Sequence, residues 1–268
     1  MRHESLTISQ AHESIATTRL KLLITSDLHY NLKQFDWLLQ TGEFYDYVVL
    51  AGDLLNVAGF LELELQITVI SEYLQNLSRL TNVVVCSGNH DGDLKNKDGE
   101  YTAAWLQSLS SDRLFVDWQA VETPEALISV CPWWDGPVSR AEMAKMLEEH
   151  SKLPKKKWVW IHHAPPDQSR VSWTGKRYGG DKFLNQLIEK HEPTVVFSGH
   201  IHTAPFYQVG GWVDRVHQTW VCNPGNQPGG LPTTIQFDLT KMNAIFDSSE
   251  GRETANLSDL DVLPFAPP

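Results

Sequence analysis

A layered α/β domain with mixed sheets is the fold class that this 268-residue chain predicts, on three observations. Apolar, strand-like runs in the earlier part of the chain alternate with segments of helical character. The last three strand candidates follow one another through short turns, which adds neighbouring strands to an otherwise alternating pattern. Polar donor residues from position 27 to position 202 sit where apolar runs stop, and they must converge to act together, which favours one domain over two.

The elements follow in order. A strand is predicted over 21–26, where Leu22-Leu23-Ile24 runs toward Asp27, and a helix fits 32–40. Tyr47-Val48-Val49-Leu50 marks a strand over 46–51 that leads into Gly52-Asp53. Leu61, Leu63, Leu65, Ile67 and Ile70 form a mainly apolar stretch, and Tyr73, Leu74, Leu77 and Leu80 then recur at helical intervals, so 61–79 is predicted as helix. Val83-Val84-Val85 gives a strand over 82–87, followed by a helix over 101–110, a strand over 126–131 and a helix over 139–150. Trp158-Val159-Trp160-Ile161 marks a strand over 157–162, Asp181 suits the cap of a helix over 181–191, and Val195-Val196-Phe197 marks a strand over 194–198. Strands over 217–222, 232–238 and 242–247 close the domain, whose predicted span is 19–248. Residues 1–18 and 249–268 hold few periodic apolar positions and are read as terminal tails. The closing Leu263-Pro264-Phe265-Ala266-Pro267-Pro268 reads as extended chain, with docking in a groove as the alternative.

Composition sets outer limits. With 41% hydrophobic and 21% charged residues, the chain has the makeup of a globular protein with a sizeable core. A net charge of −11, from 22 basic and 33 acidic side chains, argues against stable binding to long nucleic acid. No apolar run approaches the ~18–20 residues that cross a bilayer, and the N-terminus lacks a secretory hydrophobic stretch. Cys86, Cys131 and Cys222 are an odd number in separated apolar contexts, which points to a reducing, cytoplasmic compartment.

The chemistry lies in five short clusters. Asp27-Leu28-His29, Gly52-Asp53, Gly88-Asn89-His90-Asp91, His162-His163-Ala164-Pro165-Pro166 and Gly199-His200-Ile201-His202 each follow an apolar run. Side chains two apart on extended backbone project to the same side, so Asp27 with His29, and His200 with His202, can each offer two donors in one direction. Asp27, His29, Asp53, Asn89, His163, His200 and His202 are oxygen and nitrogen donors without a thiolate, a set suited to Mn, Fe or Zn and less well to soft copper. Seven donors are too many for one catalytic zinc, whereas a shared carboxylate would serve two ions. Singly, an aspartate at a strand end is usually a turn or cap, and a buried histidine is usually a core residue. His3, His12, His150, His191 and His217 lack such neighbours and are read as surface or structural.

These ordered blocks resemble the calcineurin-like metallophosphoesterase superfamily over roughly residues 21–226, counting an Asn223-Pro224-Gly225-Asn226 turn similar to one found in many members. The resemblance implies a four-layer αββα sandwich of two mixed sheets flanked by helices, with the metals at one sheet edge. It implies two divalent or trivalent ions, one held by Asp27, His29, Asp53 and His202 and the other by Asp53, Asn89, His163 and His200. A metal-bridging hydroxide attacks phosphorus in such enzymes. Carried over, His90 becomes the proton donor to the leaving oxygen, with Asp91 available to orient it, and an imidazole suits that task near neutral pH. Between the adjacent His162 and His163 the resemblance favours His163, two residues before Pro165, with His162 supporting the site from behind.

The implied activity is hydrolysis of a small phosphomonoester or phosphodiester, a nucleotide being one candidate. An inactive scaffold of the same fold, a nuclease or a protein phosphatase are the alternatives. Substrate selection is expected in 92–105, 132–138 and 167–181. Trp133 and Trp134 offer a stacking wall, with Trp134 the substrate contact, against a reading in which at least one caps the core. Lys176 and Arg177 are the basic residues first in line to meet an anion, Arg177 being the substrate contact, against a reading as exposed loop charges.

Overall fold

The computed structural model describes residues 19–258. In chain order its first elements are β1 (Lys21–Thr25), α1 (Leu32–Thr41), β2 (Tyr47–Ala51), α2 (Leu63–Leu80), β3 (Asn82–Cys86), β4 (Leu94–Lys95), β5 (Tyr101–Thr102), α3 (Ala104–Gln107) and β6 (Leu114–Phe115). Then come β7 (Ala120–Glu122), β8 (Leu127–Val130), α4 (Pro137–Ser151), β9 (Trp158–Ile161), α5 (Lys182–His191) and β10 (Val195–Phe197). The chain continues through β11 (Val213–Val216), β12 (Thr219–Cys222), β13 (Thr234–Asp238), β14 (Asn243–Ser248) and β15 (Gly251–Asn256).

Two mixed sheets carry the fold, one in the order β15-β14-β13-β1-β2-β3-β6 and the other β11-β12-β10-β9-β8-β7. Strand periodicity explains the layering, because successive side chains face opposite sides. Leu22 and Ile24 of β1 join Val49, Val84, Ile128, Val159, Phe197 and Phe237 in the core between the sheets. Leu23, Val48, Val83 and Val85 face outward onto Phe35 and Leu38 of α1 and Ile70, Leu74 and Leu77 of α2. On the other side Trp158, Trp160, Val196 and Val221 meet Met143 and Leu147 of α4 and Leu184 and Ile188 of α5. The result is the four-layer αββα sandwich. Asp181 caps α5 as expected, its Oδ1 accepting from the N–H of Phe183 at 2.7 Å and of Leu184 at 3.2 Å. Among the described residues no helix is long and apolar enough to cross a membrane.

Several boundaries differ from the sequence reading. The predicted 101–110 helix shrinks to α3 because Tyr101 and Thr102 pair with Lys95 and Leu94. The predicted 217–222 strand is the second half of a hairpin: β11 pairs with β12 across a turn at His217, whose φ is +54°. The first turn of α2 leaves Leu65 54% exposed, so its apolar run is not all core.

The predicted tail from 249 needs correction in its first part, since β15 pairs with β14 from Gly251 to Asn256. Leu257 is buried and its N–H donates to the Met242 carbonyl at 2.7 Å. Removing residues 256–268 is therefore expected to cost about 2 kcal/mol and lower Tm by about 5 °C. Unchanged melting in scanning calorimetry would contradict that assignment. The 1–18 tail and the closing 263–268 segment lie outside the described residues.

Candidate metal centre

The strands bearing the donor clusters run parallel within each sheet, β1 with β2 and β3, and β9 with β10, so their C-terminal ends open on one edge of the sandwich. The ladder continues past the strands and fixes the loops. Asp27 N–H donates to Gly52 O and His29 N–H to Asp53 O, both at 3.0 Å. The sheets are tied together where His200 N–H donates to Asp27 Oδ1 at 3.0 Å.

Four donor residues hold backbone in the left-handed region: Asp27 at φ +56°, His29 at +43°, Asp53 at +56° and His200 at +67°. Each such non-glycine residue costs about 1 kcal/mol or more, and strain of this kind concentrates at functional sites. The glycines of the clusters have a steric reason. A Cβ on Gly88 would lie 2.2 Å from Asp53 Oδ1, and one on Gly199 would lie 2.6 Å from Asp27 Oδ2.

Asp53 sits at the centre. Its Oδ2 is 3.2 Å from His163 Nε2, 3.8 Å from His29 Nε2 and 3.9 Å from His90 Nε2. Its Oδ1 accepts the His90 N–H at 2.9 Å. His202 Nε2 lies 3.1 Å from both Asp27 Oδ1 and His29 Nε2. His200 Nδ1 lies 2.8 Å from Asn89 Oδ1. Asp27, His29, Asp53 and His202 thus form one compact donor group, and Asp53, His163 and His200 a second, sharing Asp53.

The donor set fits metal ions. His163 Nε2 is buried without a hydrogen-bond partner, while Nδ1 donates to the Ala51 carbonyl at 2.7 Å, which aims Nε2 at Asp53. His29 is oriented likewise by Nδ1 donating to Leu55 O at 3.2 Å. Such outer hydrogen bonds are the usual means of aiming a metal-ligating imidazole.

Electrostatics divide the histidines. Burial depresses His200 to about 4 and His29 below its ordinary value. Burial also opposes charge on His163, but the Asp53 and Asp27 carboxylates outweigh it and lift His163 to about 9. Histidines titrate at about 6.5 when unfolded. His162 at about 3 and His200 at about 4 therefore make the folded state more stable as pH rises to about 6.5. The contribution of His163 is complete below about 6.5 and is lost as pH rises through about 9. Chelator-treated protein is accordingly expected to lose melting temperature between pH 6.5 and 9, and His163→Gln to flatten that decline. A melting temperature that climbs steadily from pH 6.5 to 9 in the metal-free protein would contradict this.

The structure brings together all seven predicted donors and His90. His162 points away: it is wholly buried, with its ring 4.3 Å from that of Trp134, so His163 occupies the site. Asp91 requires correction. Its carboxylate accepts from the N–H groups of Asp53, Leu54, Leu55 and Gly88 at 2.8–3.0 Å, so it locks two loops together and does not orient the His90 ring. Trp134 also requires correction, being 4% exposed and packed against His162, Phe183 and Arg140. Trp133 stands at the site, its ring 5.4 Å from that of His200 and 5.7 Å from that of His163. Arg177 is exposed on a turn closed by its own carbonyl and Thr174, with no ion pair to the donor set. Lys176 is exposed beside it. His150 and His191 are structural, against Ser129 and Trp158, while His3 and His12 lie outside the described residues.

Two supports carry no signal that the sequence reading could use fully. Asn223 Nδ2 donates to the carbonyls of Val171, Gly199 and Ile201, each at 3.1 Å, and so braces the His200–His202 loop. The Asn223 turn is legible in the sequence, but its task is not. Asp117 accepts the Ser87 N–H at 2.9 Å, and Ser87 Oγ accepts the Trp133 N–H at 2.9 Å, linking the loop before Asn89 to Trp133. No motif surrounds Asp117 to signal this.

Comparison with known proteins bears on the family and the fold. The family model for calcineurin-like phosphoesterase matches residues 20–204. The solved structure of TT1561 from Thermus thermophilus superimposes with a TM-score of 0.56 at 16% identity, covering 90% of this chain and 100% of that one. Purple acid phosphatase PPD1 from yellow lupin (Lupinus luteus) seeds gives 0.52 at 15% identity over 90% of this chain and 52% of the larger plant protein. GAP50, described as the anchor in the inner membrane complex of Plasmodium, gives 0.50 at 11% identity over 90% of each chain. At these identities the likeness is one of fold. No curated protein matches the sequence.

Proposed function

Because this chain belongs to the calcineurin-like phosphoesterase family, we propose that it is a metal-dependent phosphoesterase hydrolysing a phosphomonoester or phosphodiester. The observation that carries this reading is the convergence of two donor groups, reaching the edge from four strand ends, on Asp53. Asp27, His29, Asp53 and His202 would hold one ion, and Asp53, Asn89, His163 and His200 the other, with Mn, Fe or Zn best suited to these donors. When bound, such ions supply positive charge that offsets the phosphoryl oxygens and acidifies water at neutral pH.

The chain's own residues do the rest. Asp53 sets the spacing of the two groups through its shared carboxylate. Ser26 Oγ, donating to Asp27 Oδ2 at 2.6 Å, and the His200 N–H hold the Asp27 carboxylate in place. His90 is fixed by its own N–H on Asp53 Oδ1 and keeps a partly exposed ring beside the donors, from which it gives a proton to the leaving oxygen. Fold alone does not decide activity. The test is turnover of p-nitrophenyl phosphate and bis(p-nitrophenyl) phosphate by chelator-treated protein resupplied with Mn or Zn. Hydrolysis restored by metal supports the reading; no hydrolysis with ions demonstrably bound overturns it in favour of a scaffold.

A further inference from the structure

A cavity of about 390 Å³ opens beside the donor groups, lined by Ser87, Gly88 and Asn89 on the side of the centre and by Val57, Leu63, Tyr101 and Trp133 away from it. Asn89 belongs to both, its Oδ1 bonded to His200. We infer that this cavity seats the organic group of the substrate and selects an uncharged, flat ring system over a group bearing a second negative charge. The inference rests on the phosphoesterase reading for the identity of the adjoining phosphoryl group.

Shape and chemistry carry it. The volume is of the size that holds a small-molecule moiety, with an apolar wall and a few polar groups. Trp133 and Tyr101 provide aromatic faces, and both Val57, 57% exposed, and Tyr101, 47% exposed, present apolar surface that a ring would cover. Among the described residues, the only charged ones in the lining are Asp93 and Asp135, and both are committed to backbone. Asp93 Oδ1 accepts the Ala104 N–H at 2.7 Å, and Asp135 Oδ2 accepts the Tyr101 N–H at 2.9 Å. Lys95 lies over the Tyr101 ring at 4.7 Å but is not part of the wall. An anion placed in the cavity would find two carboxylates and no lysine or arginine among the described residues lining it. The phosphoryl group therefore carries the substrate's charge, and the cavity takes its neutral remainder.

Non-hydrolysable phosphonates separate binding from turnover. Isothermal titration of the Mn-loaded protein would compare methylphosphonate, 1-naphthylmethylphosphonate and a carboxylated naphthyl analogue. The naphthyl compound is expected to bind at least about tenfold tighter than the methyl compound, and the added carboxylate to remove that advantage. Trp133→Ala is expected to shrink the naphthyl preference to under about threefold, whereas Val57→Lys should favour the carboxylated analogue. A gain of binding in Val57→Lys is not something misfolding can mimic. Equal affinities for all three compounds, or a naphthyl preference untouched by Trp133→Ala and Val57→Lys, would overturn the inference. Ring-selective binding without hydrolysis of any phosphoester would instead uphold the cavity assignment and refute the enzymatic reading.

Discussion

Asp53→Asn is expected to lower kcat by about a thousandfold or more and to reduce bound metal well below that of the wild type. The substitution keeps shape but removes the one charge common to both donor groups. It also risks presenting an amide N–H to His163 Nε2, which lies 3.2 Å from Oδ2 and 3.8 Å from Asp27 Oδ1. Oδ1 can go on accepting the His90 N–H, and the Asp53 N–H can go on donating to Asp91, so the loop has the means to stay folded. Metal analysis by mass spectrometry, beside steady-state rates and circular dichroism, would separate these effects. Wild-type metal content with wild-type rate would remove Asp53 from the centre of the account.

The second large effect is expected at His90, and it differs in kind. His90→Asn should leave metal content near wild type, because His90 is outside both donor groups and Asp53 Oδ1 is held through the residue's backbone N–H. If the imidazole protonates the leaving oxygen, the loss in kcat should be about 10²–10⁴ for an alkyl phosphoester. It should shrink for p-nitrophenyl esters, since that leaving group departs as a stable anion and needs little protonation. A series of leaving groups of graded acidity therefore reads the role directly. A uniform loss across the series would make His90 a positioning residue for the phosphoryl group and not the acid.

What the sequence made legible follows from how local each signal is. Val83-Val84-Val85 and Trp158-Val159-Trp160-Ile161 specify buried strands by themselves, and the donor clusters at their ends are short enough to read as blocks. A two-residue strand such as β6 has no such signature, because pairing with a distant neighbour, β3, creates it. The same limit hid the division of labour within blocks. Nothing in Gly88-Asn89-His90-Asp91 distinguishes a side chain that faces the cavity from one that turns back onto backbone, yet Asp91 does the latter, gathering four N–H donors. Trp133 and Trp134 likewise diverge within one loop. One borders His163 and His200, and the other fills the layer beneath α4 and α5. Val57 and Leu63 carry no motif, and only the folded chain shows them beside Asn89.

Anomalous diffraction from crystals of the Mn-loaded protein examines the shared-carboxylate centre most directly. Two peaks on either side of the Asp53 carboxylate are expected, one among Asp27, His29 and His202 and the other among Asn89, His163 and His200. A single peak remote from Asp53, or ions bound only elsewhere on the chain, would contradict the account.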